Sequence, residues 1–554
     1  MLRGTLSKGC EETHAQTWSE PELRHCIGRY PAPTMPTMTR KKLPIGIQTL
    51  REIREEGHYY VDKTPLALQL IDQGKYFFLS RPRRFGKSLF LDTLKELFEG
   101  NATLFKGLHA EQHWDWSVQY PVLRFSFGGG VLGSVQDLRA SLDEQLGTLE
   151  ARHQLPAEYP DARSRFKRLI LRLAETTGQR VVVLIDEYDK PILDRIEERD
   201  TALQIREVLK DFYSIIKDSD AHVRFAFLTG VSKFSKVSLF SGLNNLEDIT
   251  LVPAYSSICG YTDADVDTVF APELPGLDRE EIRRWYNGYN WLGTSVYNPF
   301  DLLLLFRNRM FRPWWFETGT PTFLVKLLTE RRQFTPALET IIAPETLLST
   351  FDVDTIPTEA LMFQAGYLTI ADTRYFPGHL ELRLRYPNQE VKASLNNSLL
   401  GALCGGDPMV PARNISRLYD LLQANDLAGL KDVMHAFFAS IPHDWYRNNP
   451  IAQYEGYWAS VFYSHFAALG LDTMLEDATN HGRIDMAVRW LGQTWLFEFK
   501  VVELTPEGRA LQQLLDKGYA YKYRTSGPVH LIGVEFSKDT RNIVGFETQT
   551  LAVV

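Results

Sequence analysis

The stretch Lys75-Tyr-Phe-Phe-Leu-Ser80, continued without a gap by Arg81-Pro-Arg-Arg-Phe-Gly-Lys-Ser88, decides the fold. Its first six residues read as a short buried strand. The next eight form a tight basic loop, after which Leu89, Phe90, Leu94, Leu97 and Phe98 recur at helical spacing. Strand, Gly-Lys-Ser loop and helix together make a phosphate-binding loop. Loop amides and the helix N-terminus attract phosphate oxygens. Gly86 permits the turn, Lys87 would neutralise the β and γ phosphates of a nucleotide, and Ser88 would offer its hydroxyl to Mg2+. Arg83 and Arg84 add positive charge for the same phosphates. Arg81 stands where the full pattern has glycine. A basic loop that merely caps a helix is the plain alternative.

Working outward, Val181-Val-Val-Leu-Ile-Asp-Glu187 is an apolar run closed by two acids. Such a run is a parallel strand buried on both faces, and ligands bind at the carboxyl ends of such strands. Asp186 is expected to hold Mg2+, directly or through water, and Glu187 to polarise the attacking water. Residues 121–127 and 223–229 read as further strands. Thr229 or Ser232 would sense the γ-phosphate from a neighbouring strand tip, although turn hydrogen bonds explain the same residues. Helical patterns near 135–150, 162–177 and 202–217 separate the strands. The alternation predicts a parallel α/β domain over 40–255.

These residues resemble the AAA-ATPase-like family of prokaryotic proteins, in which Arg81 is the normal residue of the loop. Tyr60-Val-Asp-Lys-Thr64, Asp186-Glu-Tyr-Asp-Lys-Pro191, Thr229-Gly-Val-Ser-Lys-Phe234, Trp285-Tyr-Asn-Gly-Tyr289, Val296-Tyr-Asn-Pro-Phe300, Glu317-Thr-Gly-Thr-Pro321 and Gln364-Ala-Gly-Tyr-Leu368 carry the likeness through about residue 395. The resemblance implies an ATPase related to the signal-transducing P-loop ATPases. It also directs attention to the C-terminus, where such proteins commonly carry a nuclease-like domain.

The whole chain has 554 residues, 44% hydrophobic and 23% charged, with a net charge of -8. That length suggests about three domains. The composition excludes disorder over most of the chain, and the charge excludes a protein that holds DNA by bulk charge alone. No apolar run is long enough to span a membrane. Four cysteines without a CxxC pair fit a reducing, cytoplasmic setting. Residues 1–38 are polar and unpatterned, and read as a disordered leader or an early start codon. Residues 256–400 read as a helical lid followed by a winged or mixed α/β linker, with short strands at 368–370 and 382–384. Asp62, Tyr289 and Trp315 are ligand-contact candidates there, with packing and turn chemistry as the bland reading. Gly405-Gly-Asp-Pro408 suggests a hinge.

The last region, 415–554, holds a second group of chemistry-bearing residues. An amphipathic helix over 452–470 places Glu455 at the edge of its apolar face. His465 on that helix reads as a packing residue. In Gly482-Arg-Ile-Asp-Met-Ala-Val-Arg-Trp490, Ile484, Met486, Val488 and Trp490 alternate with polar residues. Trp495-Leu-Phe-Glu-Phe-Lys500 follows after a turn. A hairpin about 491–493 sets Asp485 opposite Glu498 to Lys500 on one face. Acids in so apolar a hairpin need a reason, and metal chemistry supplies one. Asp485 and Glu498 are hard oxygen ligands for Mg2+ or Mn2+, with Glu455 completing the set. Lys500 would orient or help deprotonate the water that attacks a phosphodiester. A solvated ion-pair cluster is the alternative.

This pattern resembles a PD-(D/E)XK nuclease core, an α/β/α restriction-endonuclease-like domain, and the resemblance adds Gln513 of the following helix as a candidate. Tyr519 reads as packing. The expected whole is an ATP-regulated, metal-dependent nuclease acting on DNA or RNA, with foreign or mobile DNA as a target by analogy and a homo-oligomer as a candidate assembly. The rival is a nucleotide-switched scaffold with an inactive nuclease-like domain. Residues 411–554 carry 13 Lys/Arg against 16 Asp/Glu, so any nucleic-acid site there must be local.

Overall fold

The computed structural model describes residues 40–156, 159–233, 245–318, 322–331, 335–349, 357–403, 409–439, 455–479, 482–524, 527–540 and 542–552. The 1–38 leader, the 405–408 hinge, Cys404 and the Glu455 side chain lie outside the described residues.

The first sheet is built from β1 (Tyr76–Ser80), β2 (Val122–Ser126), β3 (Val181–Asp186), β4 (Val223–Gly230) and the short β5 (Glu247–Asp248). Its order is β2-β3-β4-β1-β5, and every pairing is parallel. β1 and β3 are buried at every residue, as strands covered on both faces must be. Helices Lys87–Phe98, Val135–Arg152, Ala162–Thr177 and Arg199–Asp218 connect them. Two of these start on side-chain caps: Ser134 accepts from the Asp137 amide and Asp161 from the Ser164 amide. Phe166 and Phe212 stack on each other and meet Phe125 of β2 edge-on, which seats two helices on the sheet. The order has a consequence for chemistry. β4 lies between β1 and β3, so Thr229 at its tip stands between the phosphate loop and Asp186.

The core of this sheet runs on into the middle region, through Trp315, Phe363, Leu382 and Leu399. There β6 (Ile341–Pro344), β7 (Thr369–Phe376) and β8 (His379–Arg385) form an antiparallel sheet of order β6-β8-β7. Helices Glu345–Ser349 and Thr358–Ala365 fall between β6 and β7, a winged arrangement.

The C-terminal sheet contains β9 (Asp472–Thr479), β10 (Gly482–Trp490), β11 (Gln493–Val502), β12 (Val529–Ser537) and β13 (Ile543–Leu551), ordered β13-β12-β11-β10-β9. Only the β11–β12 pairing is parallel, and helix Arg509–Asp516 makes that crossover. Trp495, Phe497 and Phe499 face helix Glu455–Ala468 through Phe462 and Phe466. Leu496 faces Leu514 of the crossover helix on the other side. The result is a mixed α/β fold with a helix on each face of the second sheet. Ile484 departs from the expected alternation. It packs with Ala487 and Leu496, not with Met486 and Val488, just past the point where the β10–β11 ladder ends. Among the described residues no helix is long and apolar enough to cross a membrane.

Candidate functional site

The phosphate loop is held by its own chemistry. Gly86 has φ 89° and Arg84 φ 68°, so the backbone turns sharply just before the helix. Arg81 is fully buried and points away from the loop. It donates to the carbonyls of Ser80, Thr250 and Tyr255 at 2.9–3.0 Å and stacks over Trp291 at 4.0 Å. Burial pushes its guanidinium down to about 10, still protonated at neutral pH. Arg81 is therefore a staple under the loop.

Lys87 is buried, and its Nζ donates to the Arg81 and Pro82 carbonyls at 2.9 and 3.0 Å. Burial lowers its pKa, against the opposing pull of Asp186 and Glu187. Arg83, Arg84, Gly86, Lys87, Ser88 and Glu187 line a cavity of about 370 Å3. Apolar and aromatic residues, Ile47, Tyr60, Val61, Tyr261, Phe300 and Leu303, line it too, and the Arg84 guanidinium lies 4.8 Å over the Phe300 ring. A lining of charged and aromatic groups suits a phosphorylated, ring-bearing ligand.

Asp186 ends β3. Its Oδ1 accepts from the Thr229 hydroxyl at 2.8 Å, and its Oδ2 lies 3.9 Å from Arg124. Thr229 thus orients the acid. Glu187 takes φ 55°, a strained conformation for a residue with a Cβ. Burial raises its pKa, and nearby Lys87 opposes that rise. Gly128 makes room for it, since a Cβ there would lie 3.2 Å from the Glu187 carboxylate. Asp189, fully buried, accepts from the Val231 and Ser232 amides and the Ser232 hydroxyl, which ties the β4 tip to the acidic turn. Ser232 is therefore a structural partner. Gly128, Asp189 and Lys190, which also lines the cavity, were not among the sites read from the sequence. Asp189 and Lys190 lie inside Asp186-Glu-Tyr-Asp-Lys-Pro191, the signal that pointed to them.

The middle region supports the loop from outside. Trp315 Nε1 donates to the Arg83 carbonyl at 3.0 Å, and Gly366 packs on Pro82 so closely that a Cβ would meet it at 2.8 Å. Tyr289 packs edge-on against Phe85. Asp62 accepts from the Thr64 and His109 amides, a turn role.

In the second site the β10–β11 ladder runs from Trp490–Gln493 to Met486–Phe497. Beyond it the Asp485 Oδ2 accepts from the Phe499 amide at 2.8 Å, so the side chain takes over from the backbone. Glu498 is 1% exposed, and its Oε1 accepts from Lys500 Nζ at 2.9 Å and from Gln513 Nε2. Asp485, Glu498 and Lys500 are thus brought together as the hairpin phase required, and Gln513 joins them. Tyr519 is buried beside this group. Burial first, and the Glu498 charge second, raise its pKa. His465 is buried in packing, and burial pushes it down to about 3.

Two residues that place Gln513 had no sequence signal. Gly533 lies opposite Glu498 in β12, and a Cβ there would sit 2.2 Å from the Leu511 amide. Only glycine lets the crossover helix approach so near. Glu535 accepts from the Glu507, Arg509 and Ala510 amides and so caps that helix from the sheet. Among the described residues no set of three or more His, Cys, Asp or Glu converges for a metal. The hard-oxygen pair Asp485 and Glu498 suits Mg2+ or Mn2+ in donor type.

A family model described as a predicted AAA-ATPase matches residues 44–240, and one for the PD-(D/E)XK nuclease superfamily matches residues 453–546. An Azotobacter chroococcum mcd 1 protein, described as "Uncharacterized protein in vnfD 5'region", is 65% identical over 516 residues, 93% of this chain and all of that protein. With the Gly-Lys-Ser loop on an all-parallel sheet and Asp485, Glu498 and Lys500 on the second, the chain belongs to the AAA-ATPase-like family and carries a C-terminal domain of the PD-(D/E)XK nuclease superfamily.

Proposed function

We infer that the chain is an ATP-hydrolysing switch joined to a metal-dependent nuclease that cleaves phosphodiesters in nucleic acid. The observation that carries the reading is Glu498: a buried carboxylate on a central strand, held by Lys500 and Gln513 beside Asp485. A strand buried for packing alone would not retain these groups.

At the ATP site, Lys87 and the loop amides would bind the phosphates, with Arg83 and Arg84 at the cavity mouth. Ser88 and Asp186 would hold Mg2+, which supplies charge neutralisation on the phosphates. Glu187, lifted in pKa by burial, would take a proton from the attacking water. Thr229 keeps Asp186 in place. At the second site, Asp485 and Glu498, with Glu455 as a further candidate, would hold Mg2+ or Mn2+, which lowers the pKa of bound water and stabilises phosphodiester charge. Lys500 would orient the attacking water, and Gln513 fixes the Glu498 carboxylate. DNA, including foreign or mobile DNA, and RNA are the substrate class, and assembly into a homo-oligomer is compatible with the reading.

The test is cleavage of single- and double-stranded DNA and RNA with Mg2+ or Mn2+, with and without ATP. Wild type runs beside Lys87→Ala and Glu498→Ala. Glu498→Ala should lose metal-dependent products while ATP turnover persists. Lys87→Ala should lose ATP turnover and any effect of ATP on cleavage. Cleavage unchanged in Glu498→Ala would overturn the nuclease assignment and favour a nucleotide-switched scaffold.

A further inference from the structure

The C-terminal region is more acidic than basic, yet residues 517–524, Lys-Gly-Tyr-Ala-Tyr-Lys-Tyr-Arg, hold three cations, three tyrosines and no acid. This run leaves the helix that carries Gln513 onto Glu498, beginning four residues after Gln513. It forms the 3-10 turn Tyr519–Lys522. Lys517 precedes this turn and Arg524 follows it, with Tyr521 between them. Tyr519, Ala520 and Tyr523 are buried and fix the turn to the sheet. Tyr521 is 74% exposed. One edge of its ring, Cδ2 and Cε2, lies near Gly518, where a Cβ would come within 3.1 Å of it, and the Arg524 guanidinium stands 6.0 Å from the ring centroid. Lys517 is exposed just before the turn.

We propose that Lys517, Tyr521 and Arg524, around this turn, form the nucleic-acid rail of the nuclease site, and that it takes a single-stranded segment. The proposal rests on the nuclease reading. A base stacks on Tyr521, with Arg524 and Lys517 against the flanking phosphates, and the backbone is led toward Asp485 and Glu498. Stacking on an exposed ring needs an unpaired base, which a duplex does not offer. The local charge answers the repulsion that the surrounding acids impose on a polyanion.

The test is fluorescence anisotropy of the full chain without divalent metal, so that no strand is cut. The probes are labelled oligothymidylate, oligouridylate and a DNA duplex. Tyr521→Ala should weaken single-strand binding about tenfold and leave duplex binding less affected, whereas Tyr521→Phe should bind as wild type. Lys517→Ala should reduce the slope of log affinity against log salt by about 0.7. Thermal unfolding of each variant checks the fold. The deoxy and ribo probes distinguish the two sources of strand. Binding by Tyr521→Ala equal to wild type, or an equal loss for duplex and single strand, overturns the rail and leaves the nuclease reading intact. A wild type that binds none of the three probes overturns the nuclease reading itself.

Discussion

Arg81 illustrates how one side chain can look like a defect in the sequence and be a support in the fold. Glycine is the common residue at its position in a phosphate loop, because the backbone there comes close to phosphate. Here the side chain turns inward. It joins the end of β1 to the segment after β5 through Thr250 and Tyr255, and lies on Trp291. Arg81→Gly would restore the common pattern and leave buried carbonyls without donors. The expected cost is about 3 kcal/mol. Thermal unfolding should therefore give a lower Tm for Arg81→Gly than for wild type, and an unchanged Tm would contradict the staple. The octapeptide alone showed the missing glycine but not the direction of the side chain. That direction depends on partners 169 and 174 residues away.

Among the elements, the β10–β11 hairpin and its crossover helix form one device. The hairpin register was legible from the alternation about Leu491-Gly-Gln493, and it placed Asp485 and Glu498 on one face. The helix position was not legible, because it depends on the glycine of another strand. Gly533→Ala should push the helix away through the clash at Leu511 and separate Gln513 from Glu498. Metal-dependent cleavage should fall by about tenfold or more, while ATP turnover, which uses the other sheet, stays at the wild-type rate. Titrating Mn2+ against cleavage would check it, and an unchanged profile would mean that helix placement does not govern the site. Ile484 marks the limit of periodicity. Strict alternation puts it with Met486 and Val488, yet it packs with Ala487 and Leu496, next to Asp485, whose side chain replaces the backbone acceptor.

Across the whole molecule, helix Gln389–Leu403 joins the two chemistries. At its start Glu390 accepts from the Trp315 and Phe316 amides, and the Trp315 indole donates to the phosphate loop at Arg83. On the same first turn Gln389 donates to the Gly470 carbonyl and Lys392 pairs with Glu339, which accepts from Tyr463 of the nuclease-domain helix. Glu390 is buried with Asp301. Burial raises both carboxyls; the Glu390 charge raises Asp301 further, while the hydrogen bond with Asp301 opposes the rise at Glu390. The unfolded chain releases these protons in the ordinary carboxylate range. The folded chain holds them up to about 7 at Glu390. Stability from this pair is therefore present at low pH and is lost as pH rises through that window. Denaturant unfolding at pH 5 and pH 7.5 should show a steeper loss in wild type than in Asp301→Asn, which cannot ionise. Equal losses would place the pair's protons elsewhere.

By itself the sequence determined the kinds of chemistry and the local elements that carry them. Apolar runs of strand length, a Gly-Lys-Ser turn and an acidic hairpin are local patterns, set by burial and backbone preference over a few residues. Tertiary structure alone decided which groups meet. It set β4 between β1 and β3, so that Thr229 reaches Asp186. It turned Arg81 into a staple, seated Gln513 on Glu498 through Gly533, and brought Asp301 to Glu390 across 89 residues of chain. Those meetings depend on strand order and on close packing between distant segments, for which no short stretch of sequence carries a signal.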